Sequence, residues 1–364
     1  NKYSLQLLSQ YPVVITTYGQ VAMNLKKPSA DNILYNIQWD RVVFDEAHHL
    51  RNSRTGRYHG ANKLSAQTRW FVTGTPVQNN PRDILSIALL AGIPANDLIQ
   101  DHMLRRTKQS VGLSLPSLIF HTENVEWSNQ QEKRLAEEIH AKLPNNPIHS
   151  SFNGTFTDHI ADHQLLALIR ARQMCTLPAT MGTSVRKFVQ DGNIDPANPG
   201  IQGLLGSSKI NAVLQKIYSR SNNGAKKIIF CTYHREMNFI KNKLTQENIR
   251  TQIYHENTSH TNTADVLILQ IQTCCEGLNL QEYSEVYFVT PHWNPFVEKQ
   301  AIARCHRMGQ TQPVHVFHFI MNSGNFHGPQ NEDAEPYTFD TLVQYMQEEK
   351  CHIADQILGG EYTL

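Results

Sequence analysis

A chain of 364 residues is too long for one small domain and suggests about two or three. Hydrophobic residues at 40% and charged residues at 18% give an ordinary globular composition, and no apolar run reaches the roughly 18 residues of a membrane-spanning helix. Net charge is +1, which leaves nucleic acid open as a partner, because a binding groove needs a local basic lining and not a global excess.

In chain order, apolar β-branched runs at 13–17, 41–44 and 70–73 predict strands, each followed by turn residues and a helical pattern. Residues 129–142 and 163–175 predict amphipathic helices separated by a polar stretch at 144–158. Pro, Gly and Asn cluster in 191–206, a predicted linker. Strand-like runs resume at 227–231, 266–271, 285–289 and 314–320, and a second polar stretch at 322–336 precedes a last helix near 339–358. Alternation of this kind indicates an α/β protein with parallel sheets. The six cysteines form no C-x-x-C pair, so no zinc module or redox dithiol is expected; their irregular spacing fits reduced thiols. No ligand spacing among the 18 histidines fits a metal site.

Val42-Val43-Phe44-Asp45-Glu46-Ala47-His48 is a buried strand ending in adjacent carboxylates. Ligands of open α/β sheets sit at the carboxyl ends of strands. There Asp45 can hold Mg²⁺ through its water shell and Glu46 can orient or deprotonate an attacking water. An Asp/Glu helix cap would produce the same letters. The turn Thr73-Gly74-Thr75-Pro76-Val77-Gln78 follows another strand and can hydrogen-bond the carboxylate loop or serve as a plain connection. Asn294-Pro295 predicts a helix start, and Gln300, Arg304 and Arg307 then fall on one helical face. Two guanidiniums and an amide suit a polyphosphate, while a solvated basic face is the alternative.

Together these motifs resemble the Snf2 family of superfamily 2 helicase-like DNA translocases. Val14-Ile15-Thr16-Thr17-Tyr18 looks like its motif Ib, Asp45 to Asn52 motif II, Thr73 to Asn79 motif III, and Gly277-Leu278-Asn279-Leu280 motif V. Met103 to Lys108, the helix carrying Leu168 to Cys175, and Ser207-Ser208-Lys209-Ile210 resemble its signature segments, and Trp293 to Gln310 leads through motif VI. The resemblance implies two RecA-like lobes: residues 1–125 forming the C-terminal part of lobe 1, a helical insertion and linker at 126–205, lobe 2 at 206–321, and a C-terminal brace helix in 322–364. It implies ATP and Mg²⁺ as cofactors, with Asp45 on the metal, Glu46 activating water, Arg304 and Arg307 as arginine fingers, and Gly277 and Gln300 beside the nucleotide. Thr16, Thr17, Thr75, Thr232, Asn279 and Trp293 would lie near double-stranded DNA, with nucleosomes or other DNA-bound proteins as further partners and no membrane. A nuclear location is implied for a eukaryotic host, and an intracellular one for a viral or bacterial source.

Some features depart from the family's pattern. Its P-loop is expected before Val13, and since the chain starts at Asn1 without a leader, the protein is expected to extend upstream. No Gly is followed directly by Lys, so G-x-x-x-x-G-K-[ST] is absent from these residues. The lookalike ending at Lys209 is not expected to bind phosphate. Cys274-Cys275-Glu276 replaces a small, glycine-rich approach to motif V, and 257–263 is short for this lobe. The expected activity is therefore an ATP-dependent DNA translocase. A catalytically incomplete DNA-binding fragment and a strand-separating helicase are the competing readings.

Overall fold

The computed structural model describes residues 4–26, 32–78, 82–106, 110–144, 161, 163–254, 264–272, 278–323, 326 and 336–358. They form two compact units, Asn1–Gly112 with Glu348–Leu364, and Leu113–Gln347. Both are α/β with parallel sheets.

In the first unit, β1 (Gln38–Asp45) pairs in parallel with β2 (Ser65–Val72), from Gln38 opposite Ser65 to Asp45 opposite Val72. This register makes the two strands end side by side, so the loops that leave them emerge together. The helix Gly56–Lys63 links the strands, and Phe44, Ala47, Leu50, Tyr58, Ala61, Leu64 and Leu90 form the core beneath. Gly60 permits this packing, because a Cβ there would stand 1.9 Å from the Val21 carbonyl oxygen. The opposite sheet face carries Val43, Val72 and Trp70, the last 54% exposed, so β1 is not the buried strand its sequence predicts: among the described residues only one face of this two-stranded sheet is covered. Residues 13–17 are not a strand: Ile15 is 93% exposed, and Thr17 instead caps the short helix Tyr18–Val21 through its hydroxyl. A β-branched composition favours extension, but a strand needs a partner for its amides, and β1 pairs only with β2 among the described residues.

The second unit holds a six-stranded, wholly parallel sheet of order β3-β8-β7-β4-β6-β5. Its strands are β3 (Leu118–Val125), β4 (Lys226–Cys231), β5 (Thr251–Ile253), β6 (Val266–Gln270), β7 (Tyr283–Phe288) and β8 (Val314–Met321). Alternate residues of the central strands feed two cores. Ile229, Ile268 and Tyr287 point into one, and Ile228, Leu267 and Phe288 into the other, as a period of two requires. β3 corrects the sequence reading, which placed it in the first lobe. It pairs with β8 along its full length, from Leu118 opposite Val314 to Val125 opposite Met321. It is an edge strand, so half of its residues remain polar (His121, Thr122, Glu123 and Asn124), and the apolar run that marks a central strand is missing.

The helices Gln130–His140 and Gln164–Thr176 start at the caps Asn129 and His163. Leu135, Ile139, Ala171 and Met174 from these helices belong to the same core as one face of the sheet, so the described residues of 126–205 do not form a separate body. The predicted linker also packs: Ile194 and Leu204 are buried, and Asn198 caps a short helix, Pro199–Gly203. Glu132, fully buried, accepts both the backbone N–H and the hydroxyl of Ser208 and so fastens the helix Ser208–Ser219. His140 and Cys175 form a buried neutral pair 3.4 Å apart. Burial lowers the His140 pKa to about 4 and pushes the Cys175 thiol up, so neither carries charge near neutral pH.

The last helix is Phe339–Leu358, as its length in sequence predicts. At its start Asp340 accepts from Lys209 and from the Met321 N–H, and both side chains of the ion pair are buried. Lys209 is thus an internal ion-pair partner and does not present its ammonium to a phosphate. The helix residues from Glu348 onward belong to the first unit, where Arg105 donates to the Leu358 carbonyl at 3.2 Å.

Candidate nucleotide and DNA site

The carboxylates of the first unit lie on a strained turn. β1 ends at Asp45, whose Oδ1 accepts from the Glu46 N–H at 3.0 Å and whose carbonyl accepts from Tyr18 Oη at 2.7 Å. Glu46 has φ 48° and ψ 51°, a left-handed conformation that costs a non-glycine residue about 1–2 kcal/mol. Burial of Ala47 and Leu50 just beyond holds the turn in place. Asp45 is exposed and makes no ion pair among the described residues, leaving its carboxylate open to solvent.

The loop after β2 connects to this turn through side chains. His48 Nδ1 lies 3.1 Å from Glu46 Oε2 and 3.3 Å from Thr73 Oγ1, and the Thr73 hydroxyl accepts from the Thr75 N–H at 3.1 Å. Gln78 Nε2 donates to Thr75 Oγ1 at 2.9 Å, and its Oε1 accepts from Arg51 Nη1 at 3.0 Å. Arg51 Nη1 also lies 3.3 Å from the His48 carbonyl, closing a ring of contacts from Glu46 through both loops and back. Asp83 Oδ2 accepts from the Gln78 N–H at 2.9 Å and anchors that ring to the helix Arg82–Ala91. Thr75 was expected to face DNA, but it is 5% exposed and its hydroxyl is used inside the ring. Thr16 and Thr17 are exposed.

In the second unit Asn294 Oδ1 accepts from the Phe296 N–H at 3.1 Å and starts the helix Pro295–Cys305. Gln300 and Arg304 share a face of it. Arg307 does not, because the helix stops at Cys305 and Arg307 follows as an exposed residue. The cause is Gln310, which the sequence reading missed. Its Nε2 donates to the carbonyls of Gln281, Tyr283 and Cys305, and its Oε1 accepts from the N–H groups of Thr311 and Gln312. Gly309 turns the chain at φ 98°, where a Cβ would stand 2.7 Å from Gln281 Oε1. The sequence signal was the Gly-Gln ending, since a buried amide directly after a left-handed glycine can tie off a helix. Gln310→Ala is expected to cost about 1–3 kcal/mol, because buried carbonyls and amides lose their partners, and to loosen Arg304 and Arg307. Urea unfolding checks the stability, and an unchanged midpoint would refute the role.

Glu298, also missed, is fully buried one turn into that helix. It accepts from the His292 N–H at 2.5 Å and from Gln347 Nε2 at 3.1 Å, and its other oxygen lies 3.0 Å from His318 Nε2. These contacts set the loop bearing Trp293, which is partly exposed. Thr232, at the carboxyl end of β4, is mostly buried, and its hydroxyl accepts from Arg172 Nη2 at 3.1 Å. Thr176 shares a 2.8 Å hydroxyl contact with Thr290, so the helix Gln164–Thr176 props the ends of both β4 and β7. Asn279 is exposed, and the neighbouring Leu280 N–H donates to the Arg304 carbonyl at 3.1 Å. Gly277, Cys274, Cys275, Glu276 and residues 257–263 lie outside the described residues, as do Asn79, Thr107 and Lys108.

These two parallel α/β units, one with a carboxylate loop and one with an arginine helix, have the organisation of a helicase-like protein. Residues 2–95 match the profile of the SNF2-related domain, and residues 208–309 match that of the helicase conserved C-terminal domain. The probable global transactivator of Orgyia pseudotsugata multicapsid polyhedrosis virus is 26% identical over 319 residues, which cover 79% of this chain and 62% of that protein. The ATP-dependent DNA helicase DDM1 of Arabidopsis thaliana is 23% identical over 423 residues, 94% of this chain and 52% of that one. A crystal structure of the C-terminal part of the Fun30 ATPase domain aligns with a TM-score of 0.43 at 14% identity, covering 67% of this chain and 99% of that one. The chain belongs to the Snf2 family of superfamily 2 helicase-like ATPases. It spans about half the length of most of the curated relatives it matches.

Proposed function

We propose that this chain carries the catalytic carboxylates and arginines of an ATP-dependent translocase on double-stranded DNA, acting to remodel chromatin or displace DNA-bound proteins. The ring from Glu46 through His48, Thr73, Thr75, Gln78 and Arg51 supports this reading most strongly, because it ties the carboxylate turn to the loop after β2. A solvated helix cap has no need of such wiring. Asp45, exposed and without an ion-pair partner among the described residues, would hold hydrated Mg²⁺, which neutralises phosphate charge. Glu46 would orient the attacking water and accept its proton, with His48 fixing the carboxylate's direction. Arg304 and Arg307 would stabilise the charge that develops on the transferred phosphoryl group, and Gln300 and Gly277 would border the nucleotide. Thr16, Thr17, Thr232, Asn279 and Trp293 are the proposed DNA-proximal residues. Contacts to backbone phosphates rather than bases would make movement largely independent of sequence. In a eukaryotic host the nucleus is the proposed location.

One alternative is a DNA-binding or regulatory role without hydrolysis. ATP hydrolysis with and without linear duplex DNA distinguishes the two, measured on this chain and on a longer protein that includes it together with a phosphate-binding loop. Duplex-stimulated turnover in the longer protein supports the motor. Salt-sensitive DNA binding with no turnover in either supports the regulatory reading. Displacement of a strand from a short duplex would point to a helicase instead.

A further inference from the structure

The second unit also carries an open apolar trough of about 330 Å³, lined by none of the residues assigned to the nucleotide or DNA. It lies along the helix Gly182–Gln190 and the short helix Pro199–Gly203. Buried Val185 and Leu204 contribute to it, together with Val189, Ile201 and Leu205. Leu205 is 76% exposed, a large apolar side chain left uncovered beside an apolar floor. The volume is at the small end of the roughly 300–1,000 Å³ typical of ligand pockets, so it suits a few side chains and not a folded domain.

Two guanidiniums converge on Gly182, among the residues lining the trough. Arg186 Nε donates to the Gly182 carbonyl at 3.3 Å, and Arg235 Nη1 lies 3.4 Å from where a Gly182 Cβ would stand. Both arginines are exposed, and neither has a carboxylate partner among the described residues. Two like charges near one backbone group repel each other, and a carboxylate placed between them would relieve that repulsion through charge-assisted hydrogen bonds. A run of phosphates would meet the two arginines but would leave the apolar floor uncovered. A helical peptide with an acidic residue beside apolar residues would satisfy both features, because side chains three and four apart point the same way.

We propose that this trough docks a short acidic amphipathic helix of a partner protein, with its carboxylate on Arg186 and Arg235 and its apolar side chains against Val189, Ile201 and Leu205. The test is to pan a display library of random 14-residue peptides against the chain and against Arg186→Glu/Arg235→Glu, then measure affinities by fluorescence anisotropy. The expected result is enrichment on the parent chain of sequences with Asp or Glu next to large apolar residues at helical spacing. Their affinity should fall on the order of tenfold or more with the charge reversal, and also with Leu205→Lys. Arg186→Gln/Arg235→Gln serves in place of the reversal if that variant melts early, and Arg186→Lys/Arg235→Lys should retain part of the binding. Peptides lacking acidic residues, equal enrichment on both chains, or no enrichment at all would overturn the proposal. So would loss of duplex DNA affinity in the arginine variants without any peptide effect, which would assign the pair to phosphate.

Discussion

Replacing Glu46 by Gln is expected to lower duplex-stimulated ATP hydrolysis by about 10²–10⁴-fold, the usual contribution of a positioned general base. The comparison belongs in a protein that contains this chain together with a phosphate-binding loop. Gln keeps the size of the side chain and can still meet His48 Nδ1, 3.1 Å away in the parent chain, so the thermal midpoint should stay close to the parent value. Glu46→Gly separates geometry from chemistry. Glycine occupies φ 48° without the Cβ clash, so this variant should be equally or more stable yet as inactive as the Gln variant. Substantial turnover in Glu46→Gln, at a tenth of the parent rate or above, would remove Glu46 from the role of base. A Glu46→Gly variant less stable than the parent would show that the carboxylate's contacts outweigh the strain.

The second large effect concerns stability. Lys209→Met is expected to destabilise the second unit by about 3–5 kcal/mol, because it leaves the Asp340 carboxylate buried without its cation. Lys209 is 1% exposed and Asp340 fully buried, so solvent cannot replace the lost partner. The same carboxylate accepts from the Met321 N–H at 2.8 Å, joining the end of β8, the helix Ser208–Ser219 and the last helix at one point. Asp340→Leu alone should cost a similar amount, with a stranded ammonium and a stranded amide. The double variant Lys209→Met/Asp340→Leu should be more stable than either single one, since no buried charge remains. Urea denaturation of the four proteins gives the coupling directly. A loss below about 1 kcal/mol for Lys209→Met would mean that the ammonium is hydrated in solution and that the pair is not an anchor.

Much of the site was legible because it depends on short-range rules. Asp45 ends a strand carrying β-branched residues with Glu46 directly after it, and Asn294 stands at a helix start, where its side chain accepts a free N–H. The prediction that the loop after β2 can hydrogen-bond the carboxylate loop also followed from residue type, and the in-register ends of β1 and β2 account for it. The failures share one origin. Placing Arg307 on the helix face assumed that helical periodicity continues, whereas three carbonyls gathered by Gln310, two of them from the β7 region, end the helix first. Thr75 was placed near DNA from its position in a motif, and only the packed loop shows its hydroxyl held by Gln78.

The sequence by itself determined the parallel α/β class, the central strands, the longer helices and the strand-end position of the acidic pair. Each of these rests on a period, a cap or a run of buried residues within about 20 positions of chain. Only the tertiary structure decided that β3 joins the second sheet, that Lys209 meets Asp340 from 131 residues away, and that Glu298 and Gln310 fix the two ends of the arginine helix. An edge strand buries too few side chains to leave a pattern, and a buried polar side chain takes its meaning from partners that folding brings to it.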